Sequence, residues 1–225
     1  MTALLIASLA FLLTHLGISS TPARHWLLSL LGKKGYLIAY SLIAFGTLGA
    51  MIYAYSDVSH TDFVWLPSVL GYKISKAIML FAVVLLVLGT MIRNPTSMVW
   101  PDAINDEYRG VIKITRHPIQ WSIVLYATAH LIANGDKASI VLFGTLGLVA
   151  LLGTLAMDAK KRALNDPKWQ SFLDSTSNIP FAALLSGRTR LASHDINYLA
   201  LGIGIALYAG IYWLHGMVSG GLGLY

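Results

Sequence analysis

Apolar runs separated by short polar stretches dominate the chain, and six of them are long enough to matter: residues 2–20, 36–55, 74–92, a shorter 119–133, 139–157 and 198–218. A helix rises about 1.5 Å per residue, so crossing a hydrocarbon core takes roughly 17–25 apolar residues. None of the runs contains an acid, and the base inside them is Lys76, one turn into the third. The pattern predicts an all-α fold: a polytopic membrane helix bundle of about six transmembrane helices. The first run is apolar and N-terminal, like a secretion signal. No Lys or Arg precedes Arg24, however, and no small-x-small site follows the run, so it reads as a retained span.

Composition agrees with the pattern. The 225 residues are 56% hydrophobic and 12% charged, against about 25% charged in ordinary globular chains. Placement of the charge gives orientation. Arg24, Lys33 and Lys34 lie between spans one and two; Arg93, Arg109, Lys113 and Arg116 between three and four; Lys160, Lys161, Arg162, Lys168, Arg188 and Arg190 between five and six. The opposite side carries Lys73, Lys76 and Lys137. By the positive-inside rule the basic loops face the cytoplasm and both termini face outward, in the periplasm of a bacterial inner membrane. The net charge of +6 is therefore topological and points to no nucleic acid. Residues 21–32 (TPARHWLLSLLG), with Pro22 in a first turn and Trp26 at headgroup level, predict a short interfacial helix. The Lys160-Lys161-Arg162 run suits anionic membrane lipid, worth about 1 kcal/mol per base near the surface. Residues 94–115 are polar and proline-punctuated, with an acidic knot at Asp102, Asp106 and Glu107. No internal repeat divides the chain, which reads as one membrane domain over residues 1–225.

Zero cysteines exclude disulfides, thiolate metal sites, cysteine nucleophiles and covalent haem attachment, but leave haem held by other ligands open. Attention falls on polar groups inside the spans, since burying an ionisable group costs several kcal/mol unless it is neutral or partnered. Three histidines qualify: His15 in span one, His130 in span four and His215 in span six. Neutral imidazole is the cheapest such group to bury and the commonest metal ligand. Two histidines facing one another across a bundle can bind haem iron axially. The plainer alternative is a hydrogen bond to a neighbouring helix, worth about 0.6 kcal/mol on average, with Thr14 and Thr128 close in sequence. His215, beside Trp213, marks the outer interface.

A second constellation is Thr115-Arg116-His117-Pro118, followed by Trp121. Pro118 fits a first helical position, which sets Arg116 and His117 at the mouth of span four. Two cationic or donor side chains at a helix N-terminus favour an anion, such as a phosphate, a haem propionate or a cofactor carboxylate. An interfacial cap against lipid headgroups fits equally well. Asn134-Gly135-Asp136 closes the same helix with a turn signature, and Asp136 can cap span five.

Residues 115–136 (TRHPIQWSIVLYATAHLIANGD) resemble the hallmark segment of the NnrU family of bacterial membrane proteins. His15, the Gly35-Tyr36 entry to span two and residues 176–188 (TSNIPFAALLSGR) support the resemblance, which covers a core of residues 1–190; the last span, 198–218, is less characteristic. The resemblance implies a role linked to denitrification, in nitrite and nitric oxide reduction, with respiratory redox partners. It equally implies kinship with a carotenoid cis–trans isomerase, a membrane enzyme of hydrophobic polyenes that uses haem b with two histidine ligands. Carried onto this sequence, those ligands fall on His15 and His130 as metal (haem iron) ligands, with Arg116 and His117 in support. Counting residues, His15 lies about 19 Å from the outer end of its span and His130 about 7 Å from the outer end of its own, so their pairing calls for tilt, which reaches about 40°.

Two other classes stay open. An RHP motif followed one hairpin later by Lys168-Trp169-Gln170-Ser171-Phe172 is similar to the isoprenylcysteine and phospholipid methyltransferases, which bind S-adenosylmethionine there. This chain has Met157-Asp158 where that group places a glutamate-rich segment. The third class is a non-catalytic accessory protein of a respiratory complex.

Overall fold

A computed structural model describes residues 1–18, 23–97, 100–105 and 107–218. Over its described residues each apolar run falls mainly on a helix. α1 (Thr2–Leu13) widens into a π turn over Thr14–Ile18. α2 (Ala23–Ser56) is broken at Gly32, whose φ of 65° and ψ of 173° lie outside the helical region and suit a residue without Cβ. Residues 23–31 therefore form the separate short helix that TPARHWLLSLLG predicts, with Trp26 64% exposed. Pro22 and Asp106 lie outside the described residues.

α3 (Val69–Thr90), α4 (Pro118–Asn134), α5 (Lys137–Arg162) and, after the one-turn α7 (Ala182–Leu185), α8 (Tyr198–Val218) complete the apolar set. Four stretches are long and apolar enough to cross a membrane: Trp26–Ser56, Val69–Thr90, Lys137–Arg162 and Tyr198–His215. α4 has 17 residues, and α1 with its π turn, Thr2–Ile18, also falls in the shorter class. The described residues contain no strand, only an isolated bridge between Phe63 and Asp136.

The helices pack as a folded row. α1 lies against α2 and α5, α5 against α4, α4 against α3, and α3 against α8. Leu4 and Phe11 of α1 meet Met51 and Ala54 of α2, Ala127 of α4 and Ala138, Leu142 and Phe143 of α5 in one apolar core. Elsewhere a polar bond ties helices together within the apolar layer: Ser75 Oγ donates to the Ala129 carbonyl at 2.8 Å. Large apolar side chains such as Phe45, Leu42, Phe81 and Leu199 face outward, as lipid contact requires.

Two layers cap the bundle. At the end where α3 closes and α4 opens, α6 (Pro167–Ser175) starts on Asp166, whose carboxylate accepts from Lys168 N at 2.8 Å. Its Trp169, Phe172 and Leu173 are buried with Ile112, against Ile92, Ile104 and Tyr108. The basic–aromatic stretch 168–172 is thus largely packing. At the other end, the segment after α2 lies over the α4–α5 turn: Val64 N donates to Gly135 O and Lys137 N to Asp62 O, both at 2.9 Å.

Candidate functional site

Pro118 occupies the first turn of α4, as its fixed φ and missing N–H allow. The two residues before it point inward and are buried, His117 completely and Arg116 to 4% exposure. Their partner is Asp158, near the end of α5. His117 Nε2 donates to Asp158 Oδ1 at 2.7 Å, and Arg116 Nε lies 3.7 Å from Asp158 Oδ2. Asn178 donates to the same Oδ2 at 3.2 Å and accepts from Trp121 Nε1 at 3.2 Å. Arg116 also gives a guanidinium N–H to the Leu173 carbonyl at 3.0 Å, while burial lowers its pKa from the ordinary arginine value. Its own carbonyl accepts from Asn94 Nδ2 at 3.0 Å and Thr96 Oγ1 at 2.9 Å. The anion that the RHP motif attracts is supplied by the chain itself. His117 Nδ1 and Arg116 Nε nevertheless remain buried without a hydrogen-bond partner.

The intramembrane histidines are set differently. His130 Nδ1 lies 2.9 Å from the Tyr126 carbonyl, and His15 Nδ1 lies 2.9 Å from the Phe11 carbonyl, each four residues back on its own helix. A carbonyl only accepts, so Nδ1 carries the proton in both rings. A neutral imidazole in that tautomer keeps the Nε2 lone pair for a metal. Fixing one ring nitrogen on a carbonyl is the usual way a ligating histidine is oriented. Thr14 and Thr128 are both spent on carbonyls of their own helices, at 2.8 Å to Ala10 and to Val124.

Their surroundings differ. His15 sits in the π turn, its ring centroid 3.9 Å from Phe11 and 5.9 Å from Tyr40 of α2. π turns inside helices occur often at functional sites. His130 is stacked on Phe143 of α5, 4.4 Å between centroids and 25° between planes, with Tyr126 at 4.2 Å. His215 of α8 lies across from it, 6.4 Å between centroids. The sequence left His215 as an interfacial marker; the fold brings it to His130. Among the described residues no group of three or more His, Asp or Glu side chains could hold a metal ion. An axial pair needs only two.

The turn between α4 and α5 explains the ANGD string. Gly135 has φ +73°, and a Cβ there would stand 2.1 Å from the Trp65 carbonyl oxygen, so only glycine fits. Asp136 caps α5 by accepting from Ser139 N at 2.9 Å, and the same Oδ1 receives His60 Nδ1 at 3.0 Å. Burial raises the Asp136 carboxyl, but the Ser139 and His60 hydrogen bonds outweigh it and hold its pKa below the ordinary carboxylate value.

Fold and site together define a class: a helical membrane protein whose apolar helices carry tautomer-fixed histidines, with a buried Arg–His–Asp cluster locking one end. The chain belongs to the NnrU family, described as NnrU protein, whose sequence model matches residues 3–221 and so takes in α8. It is also 30% identical over 119 residues to the chloroplastic 15-cis-zeta-carotene isomerase of Arabidopsis thaliana. That match covers 49% of this chain and 31% of the isomerase, so the chain spans under a third of that relative's length. No solved structure matches.

Proposed function

We propose that this chain is a haem b protein of the bacterial inner membrane, with His130 and His15 as its axial ligands. The observation that carries the reading is a shared orientation: each ring sets Nδ1 on the carbonyl four residues back on its own helix, the tautomer in which Nε2 is the metal-binding atom. The donor set fits, since neutral imidazoles in an apolar bundle are the ordinary way to hold a non-covalent haem. Haem b, held by these residues, would supply an iron able to engage a polyene double bond or nitric oxide.

This chain's own residues do the rest. Phe143 and Tyr126 fix the plane of the His130 ring. Arg116 and His117 act as positioning residues: joined to Asp158, they hold the start of the helix that carries His130. Six crossings with both termini outside, as the basic loops imply, are part of the same proposal.

The substrate is either a cis polyene, as the isomerase's name suggests, or a nitrogen oxide of denitrification, as the family resemblance implies. Purification in mild detergent after haem-replete expression tests the reading. The expected result is a bis-imidazole visible spectrum that sharpens with dithionite and that His130→Ala perturbs. A flat visible region rejects it. Incubating the reduced protein with a 15-cis polyene, and separately with nitric oxide, then distinguishes the two substrates.

A further inference from the structure

Three bases stand at the end of the bundle where α3 opens and α4 gives way to α5: Lys73, Lys76 and Lys137. Lys137 is neutralised, its Nζ 2.8 Å from Asp62 Oδ2. Lys73 and Lys76 are not: neither pairs with a carboxylate of the described residues, and α3 contains no acid. Three residues apart on one helix, they share a face, so two like charges stand side by side.

Their depth is set by the start of α3, which Ser68 fixes by accepting from Gly71 N at 3.0 Å. Lys73 follows Val69 by four residues and Lys76 by seven, about 6 and 10 Å along the helix. Both stems therefore leave the backbone within the apolar stretch. Helical side chains tilt toward the N-terminus, here toward the membrane surface, and long lysine stems carry their ammonium groups back to headgroup level.

α8 holds the deeper lysine in place. Gly204 lets α8 close on α3, since a Cβ there would stand 3.0 Å from Val84 Cα. Further along, Tyr208 gives its hydroxyl proton to the Lys76 carbonyl at 3.0 Å. One turn on, the Tyr212 hydroxyl accepts from Lys76 Nζ at 3.1 Å, with the ring centroid 5.0 Å from the same nitrogen. Two N–H groups of Lys76 remain, and the Tyr212 hydroxyl, having accepted, still has a proton to give. Tyr212 is 52% exposed, so these donors face the surroundings of the bundle rather than its core. Two unneutralised cations and a hydroxyl, all donating, call for an anion with several acceptor oxygens. A phosphate in the adjoining lipid layer meets them there, whereas a free phosphate would first have to leave water.

We propose that Lys73 and Lys76, with the Tyr212 hydroxyl, bind the phosphate of a net-anionic phospholipid. The lipid bridges α3 to α8 and so steadies the last helix of the bundle. A zwitterionic lipid binds less well, because its own ammonium already balances its phosphate.

The test uses the full-length chain with Ala77→Cys, an exposed position beside Lys76 in a protein without other cysteines. The thiol is labelled with bimane and the protein reconstituted in phosphatidylcholine vesicles. Phosphatidylglycerol with brominated acyl chains is expected to quench the label more steeply than equally brominated phosphatidylcholine. Lys73→Gln with Lys76→Gln should abolish that preference, each lysine contributing about fivefold. Lys137→Gln, whose charge Asp62 already balances, should leave it intact. Equal quenching by the two lipids in the parent protein overturns the proposal, and so does a preference that survives the double variant. A preference lost equally in Lys137→Gln would show a general effect of charge and also overturn it. Abolition by excess inorganic phosphate at constant ionic strength would make free phosphate the ligand and reject the lipid. If the double variant does not reconstitute, Lys76→Met alone decides: a drop of about fivefold supports the site, and an unchanged preference overturns it.

Discussion

Asp158 Oδ1 accepts a 2.7 Å hydrogen bond from His117 Nε2 across 41 residues of chain, joining the end of α5 to the start of α4. His117 is fully buried and Asp158 nearly so. Removing one member of a buried pair leaves an uncompensated charge and costs about 3–5 kcal/mol. Asp158→Ala strands both Arg116 and His117 and is expected to lose stability in that range. Asp158→Asn, which still accepts from His117, should lose less. Thermal unfolding in detergent, followed by circular dichroism, measures both, and equal stability of Asp158→Ala and wild type would sink the account.

Gly135 makes a sharper demand. Its φ of +73° and the 2.1 Å approach of a would-be Cβ to the Trp65 carbonyl oppose any side chain. The left-handed conformation alone costs about 1–2 kcal/mol for a non-glycine residue, and the clash also lifts the 57–68 segment from the turn. Gly135→Ala is expected to expose that segment to added protease before the helices unfold. Cleavage rates equal to wild type would show that the turn tolerates the methyl group.

The helical bundle was legible in the sequence because lipid leaves one cheap way to satisfy a backbone, and six acid-free runs announce it. Pro118 at the start of α4, Gly135 in its closing turn and Asp136 as a cap were equally legible, since each is a local conformational rule. Asp158 was not. It stands just past an apolar run with nothing nearby in sequence to name its partner. The approach of His215 to His130 was hidden for the same reason, because it depends on how α8 settles beside α3. α6 was overlooked although Asp166-Pro167 is a start signal, and its Trp169 and Phe172 looked like a binding stretch until the fold buried them.

The Asp136 cap gives a pH dependence of known sign. Its folded-state pKa lies below the ordinary carboxylate value, so the charged form is favoured by folding. Its contribution is present above about pH 4, the unfolded value, and is lost as pH falls through the folded one. Asp136→Asn is expected to cost about 0.5–2 kcal/mol at neutral pH, the usual worth of such a cap. The deficit should narrow as the wild type is acidified below about pH 4. A deficit that is constant from pH 7 to pH 3 would mean that the carboxylate charge contributes nothing.

Orientation can be read directly, because the chain contains no cysteine and any introduced thiol is unique. Thr61 lies exposed between α2 and α3, and Leu164, 55% exposed, between α5 and α6. The basic loops assign the first to the outside and the second to the cytoplasm. In intact cells stripped of their outer membrane, a membrane-impermeant maleimide should label Thr61→Cys at once and leave Leu164→Cys unlabelled. Detergent should then make both react. Labelling of Leu164→Cys in sealed cells would reverse the topology. It would place the Asp158 cluster on the outside and the His130–His215 pair at the cytoplasmic face.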